Sequence, residues 1–547
     1  MIAALNTLAI GFAPHSSLWQ YVRQQWLNQT FTKGPAGLPL YQLNGFDLSL
    51  LIPYFLVLSI LAFYGFHRYV LVYVYYRNRN RRATDPAARF AELPRVTVQL
   101  PIYNERFVVD RLVEAVCQLN YPADKLEIQV LDDSTDDTVE VARTAVARAH
   151  AQGHAISYHH RTNRNGFKAG ALRAGMEVAS GELIAIFDAD FVPPPDFLQR
   201  TVHFFTDPKL GMVQTRWGYI NRDYSWLTRV ESILLDGHFI LEHGGRYRAG
   251  LFFNFNGTAG IWRRQAIEDG GGWQHDTLTE DTDLSYRAQL AGWRFLYLPE
   301  VECPSELPVD MNAFKVQQAR WAKGLIQTSR KILPRMMRRA DVSPREKLEA
   351  WWHLTANISY PLMIVLCILL LPAMIVRFYQ GWFQMLYLDL PLFIAATMSV
   401  SSFYLVAQRE LYPRAWKSAL VFMPLVMAIG IGLTVTNTRA VLEALFGIRS
   451  SFQRTPKFRI ETRQDRATHA TYRRKIGWSP VIELALGTIF AWVTIYAIQN
   501  ENYLTLPFLL LFVGGYWTTG LLSIFQGRRP RSKAVRIESA VAAGQGS

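Results

Sequence analysis

Cysteine is scarce in this chain of 547 residues, which contains three, Cys117, Cys303 and Cys367. They lie far apart and match no metal-ligand spacing, so the sequence offers neither a disulfide framework nor a cysteine-based metal site. Free cysteines of this kind behave as small apolar side chains. We therefore expect three buried thiols and look for the chemistry of the chain elsewhere.

A net negative charge is also lacking. The chain has 58 Lys and Arg residues against 44 Asp and Glu residues, which gives a formal net charge of +14. A basic excess suits nucleic acid, an anionic membrane surface or an anionic substrate as a partner. The start of the chain has no basic run and no small-residue cleavage site, so we expect no cleaved signal peptide.

Long apolar runs are absent between residues 77 and 353 and frequent outside that interval. Residues 49–76 are apolar for longer than the roughly 20 residues that a membrane-spanning helix needs. A basic run follows at residues 77–82, and basic flanks stay on the cytoplasmic side. Similar apolar stretches are found at 354–376, 386–407, 480–498 and 504–525. The lipid bilayer is therefore an expected partner.

Residues 417–436 are apolar as well, but both of their flanks are basic. A full span here would place the basic segment 437–479 outside, against the positive-inside rule. The stretch also contains Pro424 and Gly430, which bend or break a helix. We interpret it as re-entrant or interfacial, followed by an amphipathic cytoplasmic helix. This gives five true spans, with six as the alternative.

The polar interval alternates strands with helices. "VTVQLPI" at 96–102 and "LEIQV" at 126–130 are typical of buried strands, and each is followed by a pattern of helical spacing, the second with Ser134 or Thr135 as its N-cap. "IAIF" at 184–187 is a third such strand. Alternation of this kind predicts an α/β domain with an open sheet, and ligands bind at the carboxyl ends of its strands.

Pairs of carboxylates follow two of these strands. Asp132 and Asp133 end the second strand, and Asp188 and Asp190 end the third. Oxygen ligands in a D-x-D arrangement hold Mg²⁺ or Mn²⁺, and such a cation would neutralise a diphosphate. The alternative is a turn or a helix cap, because Asp is common after strands.

Four further motifs have a functional and a structural interpretation. "NRNGFKAGAL" at 163–172 places Lys168 in a turn before a helix, where cations suit phosphate or where the helix is simply capped. "FNFNGTAGIW" at 253–262 is a glycine-containing loop that allows close approach to a ligand, or an ordinary hairpin. "TED" at 279–281 offers a general base or carboxylates that complement a helix dipole. "QQARW" at 317–321 lies on a helix of binding or interfacial character.

In combination these motifs become recognisable. "DD" at 132–133, "DAD" at 188–190, "TED" at 279–281 and "QQARW" at 317–321 resemble, in this order, the D, DxD, D, QxxRW signature of processive family 2 glycosyltransferases. The likeness extends to cellulose and hyaluronan synthases and is greatest to the plant cellulose synthase-like A and C groups, the mannan and glucan synthases. "FQRTPK" at 452–457 is similar to the gating-loop motif of bacterial cellulose synthase. The strong resemblance covers about residues 95–325.

The resemblance implies roles for particular residues. Asp281 would deprotonate the acceptor hydroxyl, with Glu280 beside it as the second catalytic carboxylate. Asp188 and Asp190 would coordinate Mg²⁺ or Mn²⁺ on the diphosphate. The implied substrate-binding residues are Tyr103, Glu105, Asp132, Asp133, Lys168, Asn256, Gly257, Thr258, Gln317, Gln318, Arg320, Trp321, Thr455 and Lys457.

The resemblance also implies a domain order and a fold class. The fold class is an α/β cytoplasmic catalytic domain (GT-A, a Rossmann-like mixed sheet) inserted in an α-helical transmembrane bundle of five to six spans. The expected order is an extracytoplasmic segment 1–48, a transmembrane helix 49–76, the GT-A domain 77–345, membrane and interfacial helices 346–447, a cytoplasmic loop 448–479 with the gating motif, two transmembrane helices 480–526 and a basic, disordered tail 527–547.

The implied activity is polymerisation of a β-linked hexose, β-1,4 by resemblance, from UDP-glucose or GDP-mannose, with inversion at the anomeric carbon and translocation of the glycan across a bacterial inner membrane. The expected partners are the nucleotide sugar, the growing polysaccharide and the bilayer, with an accessory subunit or a second copy left open and no nucleic acid. Two alternatives stand beside it: a non-processive enzyme that makes a glycolipid, and a transporter or receptor with an inactive domain.

Overall fold

The computed structural model describes residues 45–82, 85–378, 390–448, 454–465, 477–499, 501 and 503–528. Most of the expected N-terminal segment and tail, and the first two residues of "FQRTPK", lie outside the described residues. The chain divides into two compact units, residues 1–63 with 362–398 and residues 64–361 with 399–547. Every contact described below lies within the second unit.

A seven-stranded mixed sheet forms the centre of the polar domain. Its strands are β1 Val96–Ile102, β2 Leu126–Asp132, β3 Ile156–His160, β4 Leu183–Ile186, β5 Leu210–Tyr219, β6 Gly260–Arg263 and β7 Arg294–Ser305. Their order across the sheet is β3-β2-β1-β4-β6-β5-β7. All neighbours are parallel except that β6 runs antiparallel to both β4 and β5. The expected mixed α/β sheet is confirmed.

The reversed strand β6 determines which loops meet. Parallel strands bring their carboxyl ends to one edge, whereas β6 brings its amino end there, with Gly260 opposite Ile186 in register. The Ala259 amide donates to the Ile186 carbonyl at 2.9 Å. The loop before β6 therefore lies beside the residues that follow β4, at the edge where ligands bind in open sheets.

Apolar side chains cover both faces of the sheet. Val98, Leu100 and Ala185 point into one buried layer, and Ile184 and Ile186 point into the other. Strands buried on both faces read as continuous apolar runs, which is why β1 and β4 were recognisable in the sequence.

Helices surround the sheet and connect it to the apolar segments. They are α1 Gly45–Arg77, α2 Val109–Cys117, α3 Thr138–Ala151, α4 Phe167–Val178, α5 Phe197–Thr201, α6 Trp226–Gly237, α7 Gly244–Arg248, α8 Arg264–Asp269, α9 Glu280–Leu290, α10 Met311–Arg338, α11 Pro344–Thr355, α12 Ser359–Phe378, α13 Leu390–Leu411, α14 Met423–Gly432, α15 Thr434–Leu445, α16 Ser479–Gln499 and α17 Leu506–Arg528. The expected cap of α3 was wrong: Asp136 Oδ1 accepts the Thr138 amide proton, and Ser134 Oγ instead accepts from the Asn104 amide at 2.8 Å.

Five helical segments of the described residues are long and apolar enough to cross a membrane. They are Gly45–Arg77, Pro344–Met374, Pro391–Leu411, Ser479–Gln499 and Tyr503–Gln526. The pair Trp416–Gly432 and Thr434–Leu445 passes the same test only together and is bent by 43°. Five spans with a sixth as the alternative is the number expected from the sequence. The second span begins at Pro344, earlier than predicted, because α11 continues through a short turn into α12.

Candidate functional site

The end of β2 supplies two carboxylates with different surroundings. Asp132 is fully buried, and its two oxygens accept from the Ser134 amide at 2.8 Å and the Tyr158 hydroxyl at 2.6 Å. Asp133 accepts two hydrogen bonds from Arg161, from Nε at 2.7 Å and from Nη2 at 2.5 Å. A bidentate pair of this kind fixes a carboxylate in one orientation. Asp132 therefore holds the turn together, and Asp133 faces the edge of the sheet.

A cationic and aromatic patch lies after β1. The guanidinium carbon of Arg164 lies 3.2 Å from the centroid of the Tyr103 ring. Arg454, from the far end of the chain, donates to the Tyr103 carbonyl at 3.4 Å and has its Nε 3.8 Å from Glu105 Oε1. Burial raises the pKa of Glu105 to about 7, although the charge of Arg454 opposes this. Flat cationic and aromatic groups of this kind stack on a nucleobase.

Each carboxylate of the D-x-D pair contacts a lysine. Lys168 Nζ donates to Asp188 Oδ1 and to the Gly257 carbonyl, the second at 2.9 Å. Lys457 Nζ lies 2.7 Å from Asp190 Oδ2. Burial raises the pKa of Asp188, and the charge of Lys168 counteracts it. This edge of the sheet is therefore built to place positive charge beside Asp188 and Asp190.

The described residues contain no group of three or more His, Cys, Asp and Glu side chains arranged to hold a metal ion. Two carboxylates are nevertheless the protein donors that Mg²⁺ typically takes when substrate phosphates supply the rest. The lysine ammonium groups already occupy cationic positions at both carboxylates. The donor set thus fits a divalent cation shared with a diphosphate.

The loop before β6 closes one side of the site. Gly257 has φ +83°, and a Cβ there would lie 2.9 Å from Asp281 Oδ2 and 3.4 Å from Lys168 Nζ. Thr258 Oγ1 accepts from the Asp188 amide at 2.8 Å. The Asn256 amide donates to Gln214 Oε1 at 2.9 Å. The loop therefore joins the end of β4 to the carboxylates of α9, and a glycine is required where it passes Asp281.

Asp281 and Glu280 occupy the first turn of α9. Burial raises the pKa of Asp281 to about 7, and the neighbouring Glu280 adds to the effect. Burial also raises the pKa of Glu280, against the charge of Lys168. The Thr282 amide donates to Asp281 Oδ1 at 2.6 Å, which leaves Oδ2 directed at Gly257. A carboxyl group of this pKa is suited to accept a proton near neutral pH.

The helix α10 carries Gln317, Gln318, Arg320 and Trp321, all partly buried. Arg320 is close enough to Asp188 and Glu280 for its charge to lower the pKa of both. At Gly324 a Cβ would lie 2.5 Å from Thr279 Cγ2, so α10 packs directly against the start of α9. The sequence-predicted motifs at 188–190, 279–281 and 317–321 are thus neighbours in space.

Residues 454–457 lie against the same edge from a distant part of the sequence. Lys457 donates to the Glu306 carbonyl at the end of β7 as well as contacting Asp190. The Phe458 amide donates to Glu306 Oε1 at 2.8 Å. Thr455 is 5% exposed, and its hydroxyl is among the buried polar atoms that have no hydrogen-bond partner. The four described residues of "FQRTPK", 454–457, therefore cover Asp190.

Sequence reasoning missed several residues at this edge. Arg161 binds Asp133, and Glu306 binds Lys457. Arg111 donates to the Asp190 carbonyl at 3.4 Å and to Glu461 at 2.9 Å. The only sequence signal for Glu306 was its position after a strand. Arg161 and Arg111 gave none, because an arginine that follows a strand or lies on a helix is usually solvated.

Comparisons with known proteins find similar sequences over the polar domain. A family model described as "Glycosyltransferase like family 2" matches residues 94–324. Glucomannan 4-beta-mannosyltransferase 1 of Oryza sativa subsp. japonica is 43% identical over 274 residues, 49% of this chain and 53% of that protein. Glucomannan 4-beta-mannosyltransferase 7 of Arabidopsis thaliana is 42% identical over 284 residues, 51% of this chain and 50% of that protein. The chain thus spans about half the length of the curated relatives it matches.

A solved structure confirms the fold. Mannosyltransferase PcManGT from Pyrobaculum calidifontis, in complex with GDP-Man and Mn²⁺, matches with a TM-score of 0.50 and 22% sequence identity. The match covers 72% of this chain and 100% of that chain. At this identity the likeness concerns the fold, which is the GT-A arrangement expected from the sequence.

Proposed function

We propose that this chain, whose residues 94–324 match the model described as "Glycosyltransferase like family 2", is a membrane-embedded, inverting hexosyltransferase that builds a β-linked glycan from a nucleotide sugar. One observation carries the proposal. Burial raises the pKa of Asp281 to about 7, and its Oδ2 faces the Gly257 backbone. The Gly257 carbonyl accepts a hydrogen bond from Lys168, and Lys168 also contacts Asp188. A proton acceptor and a diphosphate site therefore lie within one loop of each other.

The nucleotide is assigned to the patch after β1. Tyr103 and Arg164 provide a flat surface for the base, and Glu105 and Asp133 provide acceptors for polar groups of the nucleoside. Lys168, Lys457 and Arg320 surround the diphosphate with positive charge. Asp188 and Asp190 would hold Mg²⁺ or Mn²⁺, which would supply further positive charge to stabilise the departing diphosphate.

Transfer is a single displacement. The acceptor hydroxyl gives its proton to Asp281 Oδ2 while its oxygen attacks the anomeric carbon, and the bond from that carbon to the diphosphate breaks. The diphosphate leaves with the electron pair, so an α-linked donor yields a β-linked product. Gln317, Gln318 and Trp321 hold the terminal sugar of the acceptor in this proposal, with Trp321 as a flat apolar surface. Residues 454–457 exclude water, which would otherwise compete as the acceptor.

The donor is proposed to be GDP-mannose, with UDP-glucose as the alternative. The relatives in rice and Arabidopsis are named as glucomannan 4-beta-mannosyltransferases, and PcManGT was solved with GDP-Man. These names support a β-1,4-mannosyl product. They give no support to a bacterial inner membrane, so the proposal is restricted to a membrane protein whose catalytic domain faces the compartment that supplies the nucleotide sugar.

Processive synthesis and translocation form the second part of the proposal. They are supported by the covering segment at 454–457 and by the candidate spans on both sides of the catalytic domain. The competing function is a single transfer onto a lipid acceptor. The possibility of an inactive domain is disfavoured because the acidic motifs are intact and adjacent.

The decisive experiment uses the full-length chain in detergent or nanodiscs. It is incubated with labelled GDP-mannose, UDP-glucose or other nucleotide sugars, with Mg²⁺ or Mn²⁺, and the product is digested with linkage-specific enzymes. A ladder of β-1,4-mannan oligomers is the expected outcome. One sugar per lipid would establish the glycolipid alternative, and no transfer from any donor would refute the proposed activity.

A matched variant tests the proposed base. Asp281→Asn preserves the shape of the side chain but removes the proton acceptor, and we expect transfer to fall at least about 10³-fold, at the level of a lost general base. The nucleoside is expected to bind with an affinity within roughly twofold of wild type, since the Asp281 carboxylate bonds to Thr282 and not to Tyr103, Glu105 or Asp133. Substantial activity in this variant would remove Asp281 from the mechanism.

A further inference from the structure

One helix changes its winding close to the site. The helix α6 passes into a π-helical turn at His238–His243 and then into α7. π-helical turns are rare in proteins and frequently occur at functional sites. The wider turn directs His238 and His243 to the same loop, Asn254–Thr258, which precedes β6. None of the motifs recognised in the sequence includes this turn.

His238 is held between a carboxylate and the side chain of Asn256. Its Nδ1 lies 2.8 Å from Glu242 Oε2, and its Nε2 lies 3.3 Å from Asn256 Oδ1. Asn254 Nδ2 also donates to Asn256 Oδ1, at 2.9 Å. Each ring nitrogen of His238 therefore faces an oxygen that can accept a hydrogen bond, a carboxylate oxygen at Nδ1 and an amide oxygen at Nε2. The other end of the Asn256 amide, Nδ2, lies 3.2 Å from His243 Nε2.

The charge on Glu242 supports this arrangement. Burial alone would raise the pKa of Glu242, but the hydrogen bond from His238 and the charges of His238 and Arg246 hold it well below its usual range. Arg246 lies 3.7 Å from Glu242 and is itself bound to Glu349 at 3.0 Å. The ionised carboxylate thus orients His238 from the side opposite Asn256.

Asn256 immediately precedes the most constrained backbone of the site. The Gly257 carbonyl accepts from Lys168 at 2.9 Å, and the Gly257 backbone faces Asp281 Oδ2. Asn256 is bonded directly to Gly257, so a displacement of Asn256 would also displace the Gly257 carbonyl that binds Lys168. Misplacement by about 1 Å in an active site can cost roughly 10²-fold in rate.

We propose that His238 is a positioning residue of the transfer reaction, which fixes the Asn256 amide and thereby the Gly257 peptide between Lys168 and Asp281. The inference rests on the proposed glycosyl transfer at the same site. The hydrogen bonds of His238 go to Glu242 and Asn256, so His238 acts on Lys168 and Asp281 only through the loop. The competing interpretation is that the contact between His238 and Glu242 only stabilises the π-helical turn and does not affect the loop Asn254–Thr258.

Two isosteric variants separate these interpretations. In His238→Gln the side-chain amide nitrogen replaces Nε2, so the donor to Asn256 is kept and the contact with Glu242 is lost. In His238→Asn the amide nitrogen replaces Nδ1, so the contact with Glu242 is kept and the donor to Asn256 is lost. If His238 acts through Asn256, His238→Gln retains turnover within about fivefold of wild type, and His238→Asn loses roughly 10²-fold in kcat.

Binding and stability provide the controls. Both variants are expected to keep the Kd for the nucleoside, measured by calorimetry, within about twofold of wild type, because the nucleoside is assigned to Tyr103, Glu105 and Asp133, whereas the loop binds Lys168. Their thermal unfolding in detergent is expected to be equal. If His238 and Glu242 only stabilise the π-helical turn, His238→Gln should be the less stable variant. The kcat of each variant should then be proportional to the fraction of protein that is folded.

The outcomes are distinguishable from failure of the proposed function. A wild-type chain that transfers no sugar from any donor would remove both the proposed function and this inference. An active wild type in which His238→Asn equals or exceeds His238→Gln in kcat would remove this inference alone. Glu242→Gln gives an independent check, since a neutral partner orients His238 less firmly and should lower kcat by an intermediate factor, with the KM for the donor unchanged.

Discussion

Asp281 is the residue whose surroundings define the chemistry most narrowly. It lies at the start of α9, its Oδ1 is bound by the Thr282 amide, and its Oδ2 faces Gly257. The adjacent Glu280 adds negative charge, so protonation of Asp281 is favoured near neutral pH. A group of this kind converts a change in pH directly into a change in rate.

The pH dependence follows from the pKa of about 7 at Asp281. A general base works only when deprotonated, so kcat/KM should fall about tenfold per pH unit below that pKa and level off above it. Glu280→Gln removes the neighbouring charge that raises this pKa, so the rising limb should move to lower pH. The measurement is a pH–rate profile of both proteins. A profile that does not move in Glu280→Gln would contradict the coupling between the two carboxyl groups.

Gly257 allows a second test at the same scale, with Gly250 as the control. Both have a positive φ, +83° and +68°, but a Cβ at Gly250 has nothing within 4 Å, whereas one at Gly257 would approach Asp281 and Lys168. Each Gly→Ala change should cost about 1 kcal/mol of stability through the backbone. Only Gly257→Ala should also lose transfer, by roughly 10²-fold. Equal kinetics in the two variants would show that the contact with Asp281 is unimportant.

Residue types alone predicted part of this site. The carboxylates at 132–133, 188–190 and 280–281 stood out because they interrupt or follow apolar strands and helical patterns. Their partners did not, since Arg161 and Arg454 acquire meaning only through contacts between residues distant in sequence. Among the predicted residues, Asp132 has both oxygens bound within its own turn region.

At the scale of elements, α10 links the catalytic domain to the apolar helices. Lys315 on α10 binds Glu483 on α16 and donates to Ser523 Oγ on α17 at 2.7 Å. Lys315 and Glu483 are both buried, with side chains 5% and 0% exposed. The same helix carries Arg320 about one and a half turns later, so this ion pair fixes the helix that reaches Asp188 and Glu280.

Removal of one member of the pair leaves an uncompensated buried charge. Lys315→Met should therefore lower the free energy of unfolding by about 3–5 kcal/mol, whereas the double variant Lys315→Met/Glu483→Met should recover most of the loss. The measurement is unfolding of the detergent-solubilised protein. Arg339→Ala, at the exposed pair with Asp341 outside this interface, serves as the control and should leave the unfolding transition in place. Additive losses in the double variant would contradict a direct interaction.

Element prediction succeeded where the pattern was long. The strands β1, β2 and β4 were evident as apolar runs, and α10 was expected from "QQARW". The direction of β6 was not predictable, because a strand of four residues carries no sign of its orientation, which is determined by pairing with β4 and β5. The π-helical turn also leaves no mark in the local sequence.

At the scale of the whole molecule, the lengths of the apolar segments and the charges that flank them determine the membrane topology of the chain. Five segments qualify as spans, and the bent pair at 416–445 decides between five and six. With five, residue 501 is on the side opposite the catalytic domain, and residue 477 is on the same side. With six spans, residue 477 is on the side opposite the catalytic domain and residue 501 is on the same side. The basic residues of 437–479 favour five under the positive-inside rule.

Cysteine labelling tests this threading. The three native cysteines are replaced, and single cysteines are introduced at Gly477, Glu501 and Asp341, each of which is exposed. In sealed proteoliposomes whose catalytic domain faces the lumen, a membrane-impermeant maleimide should label Glu501→Cys and should spare Gly477→Cys and Asp341→Cys until the membrane is opened. Labelling of Gly477→Cys together with protection of Glu501→Cys would establish six spans.

The contact between Lys457 and Asp190 joins positions 267 residues apart in the chain, with apolar helices between them. An excised soluble fragment covering 94–338 would keep every acidic motif and lose this contact. The intervening helices keep residues 454–457 at a high local concentration beside Asp190, over the proposed donor site. We therefore expect such a fragment to transfer more sugar to water and less to the acceptor. A separate peptide with the sequence of the missing segment should restore little of this preference for the acceptor.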